Sequence, residues 1–268
     1  MIVEKSIVSV KNLKKTFENV IAVDGLSFEV RPGEVFGLLG PNGAGKTTTI
    51  KLLLGLLEPD NGKIDIFGLN PEKDDVEIKR RIGYVAEEPL IFKSLTPAEL
   101  FNFICSIRDL NEEEVAERAK EYLKSLGAEK HYEQIIATLS HGNKQKIQII
   151  SALLHEPDLL ILDEPFSGMD AKAIKVIKEI VDLQKKNGGA VLFSSHILEL
   201  AEDICDRIAI INKGKLVGIG TMEELRAQAN KIGASLEDVF LGLTEEDDSV
   251  NSIIKKLKLM FNKKGDRN

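Results

Sequence analysis

The sequence predicts an α/β protein whose core of mostly parallel strands is interrupted by a helical insertion. Three observations carry this. Short apolar runs alternate with helix-patterned segments along much of the chain. Between about residues 95 and 154 the strand-like runs vanish. A glycine-punctuated loop, 40–47, stands between an apolar run and a helical pattern.

Composition narrows the class. The chain has 268 residues, enough for one large domain or two small ones, and 43% are apolar, so wholesale disorder is excluded. The net charge of −7 argues against a general nucleic-acid binder, which carries a basic face. No stretch approaches the roughly 18 apolar residues of a bilayer span. Residues 1–5 lack an apolar signal core, so secretion is not expected. Cys105 and Cys205 form no CxxC pair, and the four histidines make no zinc pattern. The expectation is a soluble intracellular domain without a structural metal site.

The elements follow in order. Residues 7–10, 26–30 and 35–39 read as strands. Residues 46–57 read as a helix, and 64–67 and 82–85 as two further strands. Thr96-Pro97 is a helix start, with Glu99 in the first turn. Val115, Ala119, Tyr122, Leu123 and Leu126 lie on one face of an amphipathic helix, which Asn111 caps with Glu114 three residues on. Strand–helix alternation then resumes. Residues 159–162 are a buried run; Ile174, Ile177, Ile180 and Val181 mark a helix; 190–194 is another strand. Runs 208–211 and 216–219 flank Lys213-Gly214, a hairpin-like turn. No internal repeat or low-complexity linker interrupts the pattern. Glu245-Glu246-Asp247-Asp248 is acidic, and 249–268 hold six Lys/Arg and one Asp. There Ile253, Ile254, Leu257, Met260 and Phe261 keep helical spacing, a basic amphipathic helix that either touches anionic lipid or stays solvated or self-packed.

The chemistry begins in the loop. Gly40-Pro41-Asn42-Gly43-Ala44-Gly45-Lys46-Thr47 matches GxxxxGK[ST] in strand–loop–helix context. Glycines let backbone amides turn inward around phosphate oxygens, and the helix N-terminus adds its positive dipole end. Lys46 reaches the β- and γ-phosphates, Thr47 offers a hydroxyl to Mg²⁺, and Thr48 continues the cradle. A second apolar run, 159–162, ends in Asp163 and Glu164. A strand delivers such side chains to the carboxyl edge of the sheet, where open α/β sheets bind ligands. Asp163 suits the Mg²⁺ role of a Walker B aspartate, and adjacent Glu164 is suited to polarise an attacking water.

Together these residues resemble the ATP-binding subunits of ABC transporters. Leu139-Ser140-His141-Gly142-Asn143-Lys144-Gln145 is similar to the family signature LSGGQ and begins 24 residues before Asp163. Ser167-Gly168-Met169-Asp170 resembles the D-loop, and His196, after Phe193-Ser194-Ser195, the switch histidine. Residues 82–87 stand where the family has its Q-loop, and Phe17 where an aromatic stacks on adenine. The order holds across 1–222. Two departures stand out. The Q-loop position holds Glu87 in place of Gln, with Glu88 beside it, so either could line the site. His141 and Asn143 replace the commonest Gly and Gln of the signature; Ser140 and Gly142, which carry the phosphate contact in the family, remain.

The resemblance implies a P-loop nucleoside-triphosphatase core with a mostly parallel sheet, an N-terminal antiparallel β part and an inserted α-helical subdomain. It implies an ATPase domain over 1–222, with the helical subdomain at about 88–155, and a helical extension with a basic tail over 223–268. It further implies ATP and Mg²⁺ as cofactors and two nucleotide domains, identical or different, meeting head to tail. One chain supplies Lys46, Thr47, Asp163, Glu87, Glu164 and His196; the other supplies Ser140 and Gly142; Asp170 of the D-loop is a further expected residue of the nucleotide site. Glu164 is the expected general base, and Thr47, Asp163 and Glu87 the expected metal ligands. A separate transmembrane permease would be the membrane partner, with this chain peripheral on the cytoplasmic face. Pro89-Leu90-Ile91-Phe92 is either its docking surface or a core-facing loop. Residues 235–241 resemble the ending of exporter-type subunits, which favours export over import. The alternative is a soluble ABC ATPase without transport, of the iron–sulfur assembly type.

Overall fold

The computed structural model describes residues 6–244, so the readings made on 245–268 lie outside the described residues. In chain order the elements are β1 (Val8–Phe17), β2 (Val20–Val30), β3 (Val35–Leu39), α1 (Lys46–Leu53), β4 (Asn61–Ile66), α2 (Asp75–Arg80) and β5 (Ile82–Val85). Then come α3 (Pro97–Arg108), α4 (Glu112–Ser125), α5 (His141–Leu153), β6 (Leu159–Asp163), α6 (Ala171–Lys186) and β7 (Ala190–Ser195). The described chain closes with α7 (Leu198–Ile204), β8 (Arg207–Asn212), β9 (Lys215–Gly220), α8 (Met222–Gln228) and α9 (Leu236–Leu243).

Two sheets result. The first is antiparallel, in the order β2-β1-β4. The second runs β5-β6-β7-β3-β8-β9 and is parallel except for β9, which returns antiparallel to β8. The α/β class, the N-terminal antiparallel part and the helices α3–α5 between β5 and β6 therefore agree with the sequence.

Apolar patterning explains the layers. Successive side chains of a strand point to opposite faces. On β3, Phe36 and Leu38 enter a core shared with Phe28 of β2 and Ile50 of α1. Val35 and Leu39 enter the second core, shared with the helices α3–α7. A strand buried on both faces must be apolar throughout, and β3 is. Phe36 is fully buried and stacks on Phe28 with centroids 5.4 Å apart. Its truncation to Ala would cost about 3–5 kcal/mol.

Local signals set the helix ends. Thr96 and Glu99 form a reciprocal capping box on α3, with Pro97 at the first helical position. Asn111 caps α4 by accepting from the amides of Glu113 and Glu114. Helix α1 is shorter than its apolar run suggested: it stops at Leu53, and the chain turns at Gly55. Strand β1 is longer than expected. Lys11, Lys14 and Lys15 hide the alternation, yet pairing with β2 on one side and β4 on the other keeps it extended around buried Leu13.

The strand order places the site. The carboxyl ends of β3, β6 and β7 lie side by side, so the loop after β3, the acids ending β6 and the serines ending β7 converge on one edge.

Candidate functional site

The loop between β3 and α1 is the floor of the site. Gly43 and Gly45 take φ of 80° and 106°, in the left-handed region. A Cβ on Gly45 would also lie 2.3 Å from the Ala22 carbonyl oxygen, so β2 runs directly beneath it. No side chain caps α1, whose first-turn amides remain as anion donors. The buried Lys46 Nζ donates to the Gly40 carbonyl at 2.8 Å and lies 3.4 Å from the Pro41 carbonyl. A cavity of about 480 Å³ opens above the loop. Residues 41–48 line it, with Val20, Ile21, Ala22, Glu87, Glu164 and Lys213. Of the two acids after β5, Glu87 lines it and Glu88 does not.

Asp163 ends β6 and is completely buried. Its Oδ1 accepts a short hydrogen bond from the Ser194 hydroxyl, whereas Oδ2 accepts none. Burial pushes its carboxyl above the usual range, against hydrogen bonding from Ser194 and Thr47 that pulls it down. A buried carboxylate oxygen without a donor, beside a threonine hydroxyl, is a set suited to a hard cation. Mg²⁺ fits these residues on that ground.

Glu164 follows at φ 48°, a left-handed conformation that turns its side chain back over the loop. Its Oε2 is 2.9 Å from His196 Nδ1 and accepts from the Ser195 hydroxyl at 3.2 Å. Its Oε1 is 3.4 Å from Lys46 Nζ and accepts no hydrogen bond. His196, after β7, is exposed. A carboxylate anchored through one oxygen and open at the other can accept a proton beside bound phosphate.

Gly40 and His196, which contact Lys46 and Glu164, and fully buried Asp163 do not themselves line the cavity, and neither do Ser140, Gly142, Asp170 and Phe17. Ser140 caps α5, accepting from the Asn143 amide, and is exposed. Gly142 is buried against Gly168: a Cβ there would lie 2.3 Å from the Gly168 carbonyl oxygen, so only glycine permits this contact. Asp170 caps α6 through the Ala173 amide and pairs with Lys146 Nζ at 3.0 Å, both of which hold its carboxyl below the usual range. Phe17, at the end of β1, is exposed, with the Lys15 ammonium 5.7 Å from its ring centre. Its neighbours Val20 and Ile21 reach the cavity, and Phe17 itself does not line it.

Sequence reasoning missed several groups. Lys213 reaches the site because Gly214 donates to the Ala44 carbonyl, seating the β8–β9 hairpin on the loop. Lys146 ties α5 to the cap of α6. Gln145 and Gln148 of α5 both donate to the Ala86 carbonyl, at 3.1 and 2.8 Å, and Gln148 Oε1 accepts from the Leu90 amide at 2.5 Å. The segment bearing Glu87 is thereby clamped to α5. Ser194, at the end of the expected strand 190–194, and Ser195, just before His196, also carry no site role in the sequence pattern. Their one sequence signal was hydroxyl residues ending an apolar strand.

Beyond Glu87 the chain exposes Leu90 and Phe92 beside a groove of about 400 Å³, walled by Phe103, Ile104, Arg108 and His155. Phe92 and Phe103 meet edge to face at 5.2 Å. Among the described residues no helix is long and apolar enough to cross a membrane.

The chain is similar to proteins of known family. A family described as "ABC transporter" matches residues 23–167. The ABC-type transporter ATP-binding protein EcsA of Bacillus subtilis (strain 168) is 37% identical over 242 residues, 90% of this chain and 98% of that protein. The bacitracin transport ATP-binding protein BcrA of Bacillus licheniformis is 37% identical over 227 residues, 84% of this chain and 73% of that protein. A solved structure of an ATP-binding subunit of an ABC transporter superposes with a TM-score of 0.85 at 36% identity, covering 89% of this chain and all of that one.

Proposed function

The chain belongs to the ABC transporter family of ATP-binding proteins, which bind and hydrolyse ATP, and from that premise we propose that it powers a separate membrane permease by pairing with a second nucleotide domain. The observation that carries this reading is a divided site. Lys46, Thr47, Glu87 and Glu164 line one cavity, while Ser140, exposed at the α5 N-terminus, and Gly142, buried against Gly168, do not. A head-to-tail partner would bring its own Ser140 and Gly142 onto the phosphates held here. ATP binding then closes the pair and hydrolysis opens it.

Within the closed site, Lys46 and the loop amides hold the β- and γ-phosphates. Thr47, Asp163 and Glu87 would hold Mg²⁺, which when bound neutralises phosphate charge. Glu164 accepts the proton of the attacking water through Oε1, and His196 donates to its other oxygen. Phe17 stacks on the adenine, and Asp170 keeps the D-loop turn at the domain interface. Catalysis is mostly positioning and electrostatics.

The permease would dock at the groove beside Leu90 and Phe92, where large apolar side chains are exposed next to the Glu87 segment. The chain would thus be peripheral on the cytoplasmic face. Residues 1–222 are the ATPase domain, with a helical subdomain at about 88–155, and 223–268 the extension. BcrA is named as a bacitracin transport protein, and export is the direction we favour. The test is a tagged pull-down from detergent-solubilised membranes, with partners identified by mass spectrometry. A multi-span protein at about one copy per nucleotide domain is expected. A purely soluble set of partners would replace this reading with a non-transport ATPase.

A further inference from the structure

We propose that Ser195 is the positioning residue that fixes which oxygen of Glu164 serves as the base. The inference rests on the role proposed for Glu164 and extends it. Strands β6 and β7 are parallel, with Asp163 opposite Ser194. Two successive serines on β7 therefore meet two successive acids at β6: Ser194 donates to Asp163, and Ser195 to Glu164.

Ser195 is 2% exposed, so water does not compete for its hydroxyl. Its oxygen accepts from the Ile197 amide at 2.9 Å. The only proton it can offer goes to Glu164 Oε2, at 3.2 Å. That oxygen also receives His196 Nδ1. His196 is exposed and sits on the segment after β7, whereas Ser195 is built into the sheet. The buried hydroxyl is thus the rigid half of the anchor. With Oε2 occupied, Oε1 is left facing the phosphate loop without a donor. When Ser195 is removed, the carboxylate turns, and productive and unproductive orientations share the population.

The test compares steady-state ATP hydrolysis by the full chain, purified from detergent-solubilised membranes with its bound partners. Ser195→Ala should lower kcat about ten- to hundredfold, the range for one hydrogen bond to a charged group, with KM for ATP within about twofold. Ser195→Thr, which keeps the hydroxyl, should recover most of kcat. Adding Ser195→Ala to Glu164→Gln should cause no further loss, because the hydroxyl acts only through the carboxylate. If Glu164→Gln is inactive while Ser195→Ala turns over normally, the positioning role is overturned and the assignment of Glu164 stands. If Ser195→Ala raises KM as kcat falls, or Thr does not rescue, Ser195 is structural and the inference fails. Normal turnover in Glu164→Gln would overturn both.

Discussion

Lys46 Nζ and Glu164 Oε1 lie 3.4 Å apart, both side chains buried, at the point where the loop after β3 meets the end of β6. The lysine also donates to the Gly40 carbonyl, and the carboxylate also meets His196 and Ser195. In the proposed reading, ATP places phosphate beside the lysine and the carboxylate oxygen faces the attacking water. The two residues are therefore expected to fail in different ways.

Glu164→Gln keeps the shape and removes the base. It should bind ATP at least as tightly as the parent, hydrolyse it about 10²–10⁴-fold more slowly, and accumulate as an ATP-bound dimer. Nucleotide binding, phosphate release and size-exclusion chromatography together check this. Near-normal turnover would defeat the assignment.

Lys46→Met removes the cation. ATP affinity should fall about a hundredfold, and the ligand-free protein should lose about 1–3 kcal/mol because Glu164 keeps its burial but not its counter-charge. Equilibrium titration and urea unfolding measure the two effects. Unchanged nucleotide affinity would count against the loop assignment.

His155 gives the fold an acid limb. It lies largely inside the groove, its Nε2 bonded to the Ile82 carbonyl and its Nδ1 without a partner. Burial, with Arg108 nearby, lowers its pKa to about 4. Unfolded histidine protonates near pH 6.5, so stability is full above that value and lost as pH falls toward 4. Between pH 7 and pH 5 this one residue should remove about 2 kcal/mol. His155→Gln, which keeps a donor for Ile82, should flatten that part of the pH profile in denaturant unfolding.

Gln148 clamps the Glu87 segment by serving Ala86 and Leu90 together. Gln148→Leu strips a donor from one and an acceptor from the other. It should cost about 1–3 kcal/mol in urea unfolding and speed hydrogen exchange at the Leu90 amide. Protection unchanged at Leu90 would show that α5 does not hold the segment.

Phe17 is exposed, so Phe17→Ala should change stability by no more than about 0.5 kcal/mol. Loss of a stacked base should still weaken ATP binding about tenfold. Equal affinity in the two proteins would remove Phe17 from the site.

Much of the fold, and the residues 41–48 that line the cavity, are legible in the chain because the signals are contiguous. The phosphate loop is one string of residues whose types encode the backbone it needs. The acids Asp163 and Glu164 end an apolar run, and Thr96-Pro97 announces α3 within four residues. What stayed hidden is long-range and made of common residue types. Ser195 meets Glu164, and Gln148 meets Ala86, only after β6, β7 and α5 have packed. Strand β1 runs longer than its apolar pattern because three lysines break the alternation, while the two strands that hold it extended are not revealed locally. The departure at Glu87 was legible as a residue, and its choice over Glu88 was not, because one step along an irregular segment reverses which side chain faces the cavity.

If Glu164 is the base proposed above, its left-handed backbone sets folding and catalysis in opposition at a single codon. An L-residue there carries a conformational penalty on the order of 1 kcal/mol, which glycine would relieve and asparagine reduce. Exchange of Glu164 alone would strand the buried Lys46 ammonium, so variants sorted only for thermal survival should lose the two residues together. Variants sorted for ATP turnover should hold the glutamate and collect their compensating mutations elsewhere.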